Sequence, residues 1–304
     1  SLSLLPVLAR HYGQPFADSS ALPTYYVSQM ARKHVKMVLS GDGGDENFAG
    51  YNTYENILRG INEFQLPGSR CWGSGLRPLA QYWYARLKHL ADGDSWVYAM
   101  NCSLYNYFST GAREKLYRGG LKGLAQDRPA RRAIFDEGKK SPMLSRLQRL
   151  DILTYLPYDI LVKVDIAAMA NSLEVRAPLL DHVLMETAAS MPTELKMRRA
   201  LENGNTVYDK KYMLKRLALK KYPASMIERP KKGFGVPISA WFAGELREKV
   251  RSMLMSSTRL PQFFEMSEIS KILDAHMAPS DMSPKIWSLL FLDQWLAGHE
   301  DCIR

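Results

Sequence analysis

The six residues Gly41-Asp-Gly-Gly-Asp-Glu46 comprise three glycines and three carboxylates, with Ser40 before them and Asn47 after. This combination suits a phosphate ligand carried with magnesium. Gly41, Gly43 and Gly44 can adopt positive φ and let backbone N–H groups approach an anion closely. Asp42, Asp45 and Glu46 offer the hard oxygen donors that magnesium prefers. A plainer reading makes Asp45 the cap of a helix that starts at Glu46 and runs through Tyr54 and Ile57, since an Asp before an apolar-periodic stretch is an ordinary helix start. An EF-hand loop is excluded. It requires an oxygen ligand at position three and glycine at position six, and counting from Asp42 these positions are Gly44 and Asn47.

The elements around the loop read as an α/β unit. Val35-Lys-Met-Val-Leu39 is short and β-branched at both Val35 and Val38, and it follows a helical pattern from Tyr25 to His34. A strand there delivers the loop to its carboxyl end, where open α/β sheets place their ligands. Upstream, the pattern predicts a helix over Leu4 to Tyr12, a loop over Gln14 to Ser20 and a helix from Pro23. Beyond Tyr51 it predicts successive helices broken at Leu66-Pro-Gly-Ser-Arg70, Gly119-Gly120, Gly138 to Pro142, Met191-Pro192, Tyr222-Pro223 and Met277 to Pro284. Val35–Leu39 is the one strand expected. Residues 1–54 then form a remnant α/β nucleotide-binding part, and 55–304 a helical remainder.

Four stretches together carry a family resemblance: Gln14-Pro-Phe-Ala-Asp-Ser-Ser-Ala-Leu-Pro-Thr-Tyr-Tyr26, the loop with Phe48-Ala-Gly-Tyr51, Tyr155-Leu-Pro-Tyr-Asp-Ile-Leu-Val-Lys-Val-Asp165 with Asn171-Ser-Leu-Glu-Val-Arg-Ala-Pro-Leu-Leu-Asp-His182, and Arg229-Pro-Lys-Lys-Gly-Phe-Gly-Val-Pro237 with Trp241-Phe242. In this order they resemble the synthetase domain of glutamine-dependent asparagine synthetases. The match is weak over about residues 55–145 and after about 255. The resemblance implies a chain that is mainly α, the C-terminal part of an α/β adenine-nucleotide α-hydrolase-like (PP-loop ATP pyrophosphatase) domain. It also implies ATP-dependent amidation of aspartate through an aspartyl-adenylate, with release of AMP and pyrophosphate. Ammonia would come from glutamine, through an N-terminal glutaminase domain.

Residue by residue, the resemblance places Ser40, Gly41, Gly43 and Gly44 against ATP and makes Asp45 a ligand of Mg2+. Lys232, in the basic turn Lys231-Lys232-Gly233, could close over phosphate, an exposed loop being an equally good reading. Lys211 matches a lysine near the acyl-adenylate, where its charge would meet developing negative oxygens; Lys210 is the alternative if the register slips by one. Glu174 matches a glutamate that, in related lactam-forming synthetases, works with the side chain at the position of Asp42 on a proton. Two such carboxylates could hold their pKa values apart. Alternatively, Glu174 forms a structural bridge to Arg176 or Arg198. Arg176 and Asp181 read as architectural. Lys163 and Asp165, two apart on a helix, must reach different partners. Ile166 and Ala168 stand where the family pattern has Arg and Ser, and this departure keeps open a sister enzyme that amidates another carboxylate, as in surface polysaccharide or peptide pathways.

The pyrophosphate-loop string Ser-Gly-Gly-x-Asp-Ser does not occur, and the chain opens Ser1-Leu-Ser without an N-terminal cysteine. These 304 residues are therefore expected to be the C-terminal part of a longer enzyme and to lack synthetase activity alone. No apolar run approaches the roughly 18 residues that span a bilayer, and a cytoplasmic protein without a membrane partner is expected. Cys71, Cys102 and Cys302 lack metal-ligand spacing and read as incidental thiols of a reducing compartment. The net charge is +10, and residues 194–251 hold 15 Lys/Arg against 6 Asp/Glu. That segment lacks nucleic-acid-binding signatures, and its cations suit a pyrophosphate-releasing enzyme better. A non-catalytic interaction or nucleic-acid-binding module is the remaining alternative, with a steep salt dependence as its mark. The expected partners are aspartate and ammonia, with no nucleic acid; a homodimer stays open.

Overall fold

The computed structural model describes residues 2–62, 97–98, 101, 107–125, 129–202, 205–229, 235–276 and 280–299. The expected break at Leu66 to Arg70, together with Lys231, Lys232, Gly233 and the three cysteines, lies outside the described residues.

Two helix-then-strand units set the frame of a helix-rich fold. Helix Ala21–Arg32 leads into β1, Met37–Leu39, and helix Val162–Met169 leads into β2, Glu174–Arg176. The strands pair in parallel, with Met37 opposite Glu174 and Leu39 opposite Arg176. Ser40 N–H donates to Arg176 O at 2.8 Å, which carries the pairing into the glycine loop.

β1 is shorter than predicted because the preceding helix overruns it: Val35 N–H still bonds to Ala31 O at 2.9 Å and so is lost to strand pairing. That helix starts at Ala21, two residues before Pro23, since proline is tolerated in a first turn. One strand was expected, and the described residues form four. β2 is too short to show alternation. The other two, β3 (Met197–Glu202) and β4 (Asn205–Lys210), form an antiparallel hairpin across the charged stretch Arg198 to Asn205.

Two apolar clusters hold these elements. In the first, Leu5, Leu8 and Tyr12 pack with Ile286, Trp287, Leu290 and Phe291 of the helix Ser283–Gly298. In the second, Tyr54, Ile57, Phe135, Leu147, Leu150, Met197 and Tyr208 enclose Ala49, so one core anchors both the glycine loop and the hairpin. Each fully buried large side chain contributes about 1.5–3 kcal/mol relative to exposure. Ile166 packs against the first cluster and Ala168 is buried, so the departures from the family pattern fill apolar space. Among the described residues no helix is long and apolar enough to cross a membrane.

A polar knot joins the two helix starts. Asp18 accepts from Ser20 N–H at 2.9 Å, Ser20 Oγ at 2.6 Å and the buried Lys163 Nζ at 2.6 Å. Asp159 lies 3.8 Å from the same ammonium, on the π-helical segment Leu156–Leu161. Burial opposes ionisation of Asp18, yet Lys163 and Ser20 hold its pKa below the usual carboxylate range. Asp159 is pushed up to about 7, first by burial and then by the charge of Asp18. As expected, Lys163 and Asp165 part company, because Asp165 faces solvent.

A raised carboxyl pKa means that the folded state holds a proton which the unfolded chain releases near pH 4. This stabilisation is complete below that pH and is lost as pH rises through about 7. The shift corresponds to an upper bound of about 4 kcal/mol, which partial exposure and the nearby lysine reduce to about 1–2 kcal/mol. Asp159→Asn is therefore expected to be about 1–2 kcal/mol more stable than the parent at pH 8 and equal to it near pH 4. Urea unfolding across that range checks this; a constant offset at every pH would contradict the assignment.

Candidate active site

The glycine loop makes a single helical turn, Gly44–Asn47, and stops. The predicted continuous helix from Glu46 through Ile57 does not form. Ala49 takes φ 55°, and helix Asn52–Asn62 begins afresh. Gly43 caps the turn at φ +85°, and a Cβ there would lie 2.2 Å from Leu180 Cδ2. Asn47 Nδ2 donates to Leu179 O at 2.9 Å. The turn Pro178–Leu180, from the Glu174 to His182 motif, thus packs directly under the loop. Two stretches some 130 residues apart make one structure.

Asp45 and Lys211 meet. Lys211 Nζ lies 3.0 Å from Asp45 Oδ2, with both side chains about a quarter to a third exposed. The chain reaches this point through β4, and Lys211 takes left-handed φ 54° before helix Tyr212–Ala218. Lys211 N–H donates to Phe48 O at 3.1 Å, pinning the lysine backbone to the loop. Asp209 and Lys210 close the hairpin, and helix begins at Tyr212. Lys210 turns away to Asn52 and Glu55, so Lys211 is the lysine at the loop. Gly50 completes the contact. Its N–H bonds to Asp45 O at 2.8 Å, and a Cβ on it would overlap Asp45 Oδ1 at 2.1 Å and Lys211 Cε at 2.2 Å.

The three loop carboxylates have separate fates. Asp42 accepts from Ser40 Oγ at 2.8 Å, at the end of β1. Asp45 faces Lys211 and does not act as the helix cap, which is Gly43. Glu46, expected to supply a metal oxygen, is buried and accepts from Tyr51 OH at 2.5 Å, and burial raises its pKa. It serves the core. The contacts of Gly44 place it on the inner side of the turn, 3.6 Å from Lys211 Nζ for an added Cβ, whereas one on Gly41 would meet nothing within 4 Å. Gly41 is therefore the loop position open to close approach by a ligand.

Glu174 stands apart from this group. It lies opposite Met37 at the first rung of β2 and pairs with Arg176 at 2.8 Å, both side chains more than half exposed. Arg198, its other candidate partner, donates to Tyr212 OH at 2.8 Å and stacks on that ring. Asp181 caps helix His182–Ser190, accepting from Val183 and Leu184 N–H, in keeping with an architectural role.

Among the described residues no three or more His, Cys, Asp or Glu gather as a metal cage. Magnesium is commonly held by one or two carboxylates, with waters and substrate phosphates completing its octahedron. The partly exposed Asp45 carboxylate beside an open glycine loop fits that mode. Residues that the sequence did not single out complete the support: Leu179 and Leu180 beneath the loop, and Gln148, whose Nε2 donates to Glu46 O at 2.6 Å and Asn47 O at 3.1 Å. A polar residue on the apolar face of the pattern around Leu144, Leu147 and Leu150 was the available signal for Gln148.

The polar centre of this fold sits at the carboxyl ends of parallel strands, a carboxylate loop facing a lysine. The asparagine synthase family model matches residues 1–297, and the chain belongs to that family. Among curated relatives, asparagine synthetase (glutamine-hydrolyzing) 1 of Bacillus subtilis (strain 168) is 32% identical over 303 residues, which cover 96% of this chain and 45% of the relative. A Mycobacterium tuberculosis (strain H37Rv) protein provisionally named as a glutamine-hydrolysing asparagine synthetase is 32% identical over 306 residues, covering 97% of this chain and 44% of its own. Amidase chyE of Penicillium rubens is 26% identical over 239 residues, 72% of this chain and 35% of that protein. The chain spans less than half the length of the two synthetases.

Proposed function

We propose that this chain is the C-terminal part of the synthetase domain of an enzyme that converts aspartate to asparagine with ATP, forming an aspartyl-adenylate and releasing AMP and pyrophosphate. One observation carries the reading: Asp45 and Lys211 meet beneath an open glycine loop at the carboxyl ends of β1 and β2, in a chain of the asparagine synthase family. The division into an α/β part over residues 1–54 and a mainly helical remainder, which lends β2 to β1 and adds the hairpin β3–β4, within a PP-loop pyrophosphatase-like fold, belongs to the same reading.

Backbone N–H groups of the loop around Gly41, Gly43 and Gly44, with Ser40, would hold the phosphates, and Lys232 would close over them. Lys211 would stabilise negative charge on the α-phosphate oxygens during adenylation and on the acyl oxygen during ammonia attack, a contribution of several kcal/mol once bound substrate excludes water. Asp45 would hold magnesium, which when bound neutralises phosphate charge. Asp42, which accepts from Ser40 Oγ at the end of β1, is our candidate for accepting the proton of the attacking amine. Glu174 remains its proposed partner, which would require it to leave Arg176. A glutaminase domain elsewhere in the full-length protein would supply ammonia, as the names of the two synthetases suggest. We place the enzyme in the cytoplasm.

A sister activity on another carboxylate is favoured by the two departures at Ile166 and Ala168 and by the match to an amidase. Incubating the full-length protein with ATP, magnesium and ammonia, and offering aspartate beside other carboxylates, separates the two. Aspartate-dependent AMP and asparagine support the first reading. AMP with another acid alone supports the second, and none with any acid sinks both.

A further inference from the structure

The turn Gly44–Asn47 ends on carbonyls that a longer helix would satisfy internally. Gln148, buried on helix Met143–Leu153, takes two of them with one amide nitrogen, at Glu46 O and Asn47 O. Its Oε1 faces the other way and accepts from Lys196 Nζ at 3.4 Å.

Lys196 is an expensive residue to keep there. It is 2% exposed, and burial lowers its pKa. Among the described residues Gln148 is its hydrogen-bond partner and no carboxylate pairs with it. A desolvated ammonium with one long bond to a neutral amide costs stability, and an unbranched apolar methionine, one atom shorter, would avoid the cost. Its location gives it a use. Lys196 directly precedes β3, whose first residue Met197 pairs with Lys210, so the hairpin base at Lys196 also delivers Lys211. The ammonium polarises the Gln148 amide, strengthening donation to the two carbonyls, and places positive charge near the carboxyl end of a helical turn.

We propose that Gln148 and Lys196 are positioning residues that clamp the turn bearing Asp45 to the hairpin base that delivers Lys211. This rests on the proposed adenylating function for its kinetic consequence and on geometry alone for its structural one.

The test uses the full-length protein with Lys196→Met and, separately, Gln148→Glu. In Lys196→Met the thermal midpoint should be unchanged or higher. Amide exchange at Asn47, Gly50 and Lys211, whose N–H groups bond to Gly43, Asp45 and Phe48, should quicken on the order of tenfold, while the Ser283–Gly298 core stays as slow as in the parent. The KM for MgATP should rise on the order of tenfold, more than kcat falls, because the charges that meet the phosphates are displaced. Gln148→Glu offers Lys196 a better partner but sets a carboxylate against two carbonyls, so it should lose more activity than Lys196→Met although it gains an ion pair. Unchanged exchange at those three amides in both variants overturns the clamp. So does a lower midpoint with exchange quickened throughout the core, which marks mere destabilisation. A parent that forms no AMP from any carboxylate removes the functional reading, while the exchange data still decide the clamp.

Discussion

Gly50→Ala in the full-length protein is expected to lower AMP formation by roughly 10²-fold or more while costing about 1–3 kcal/mol of stability. The added methyl would sit 2.1 Å from Asp45 Oδ1 and 2.2 Å from Lys211 Cε, so either the ion pair opens or the backbone retreats. The lysine tail can bend, but the Asp45 backbone carbonyl accepts from Gly50 N–H at 2.8 Å, which holds the short Asp45 side chain against position 50 with little room to retreat. Gly41→Ala is the contrast. Its methyl would meet no protein atom within 4 Å, so folding should be untouched and any loss of activity reports a ligand that approaches the backbone there. Thermal melts with AMP assays on both variants decide the matter; a fully active Gly50→Ala protein would show that Asp45 and Lys211 need not lie as close as they do.

Asp45→Asn and Lys211→Met should each reduce kcat/KM by roughly 10²–10³-fold, the range typical of removing a preorganised charge from a developing anion. Their stability cost should be small, about 1 kcal/mol or less, because the partly exposed pair is screened and one partner lost leaves a charge that water still reaches. The two should differ in what restores them. Raised magnesium should recover part of the Asp45→Asn loss, since a weakened metal site can be refilled by mass action, and leave Lys211→Met unaffected. In the double variant the losses should not add, because the side chains act on the same phosphate. Full additivity, or the same magnesium response in both, would assign them to separate sites.

The residues themselves carried much of this chemistry. Glycines and carboxylates in one short run announce an anion site, because few other residues tolerate the backbone approach or offer hard oxygens. The family could be read from four motifs in order, and the match over residues 1–297 bears that out. The pattern also marked the helix Leu5–His11 and breaks at Gly138 to Pro142, Met191-Pro192 and Tyr222-Pro223, since periodicity and proline act locally.

Strands were another matter. β2 spans three residues and gains its identity only by bonding to β1, and the hairpin at Met197–Lys210 runs through charged residues whose inward positions, Met197 and Tyr208, are set by a core built from distant helices. The loop acids were alike in sequence, yet Asp45 faces Lys211 whereas Glu46 turns inward to Tyr51, and one residue of helical rotation separates the two fates. Lys210 and Lys211 could be told apart only once β4 ended and the left-handed residue at 211 redirected the chain. Sequence alone thus determined which chemical groups this protein possesses and which family it joins, because both reside in residue identity and order. Tertiary structure alone decided which groups meet, because a meeting across about 170 residues depends on packing that no local pattern contains.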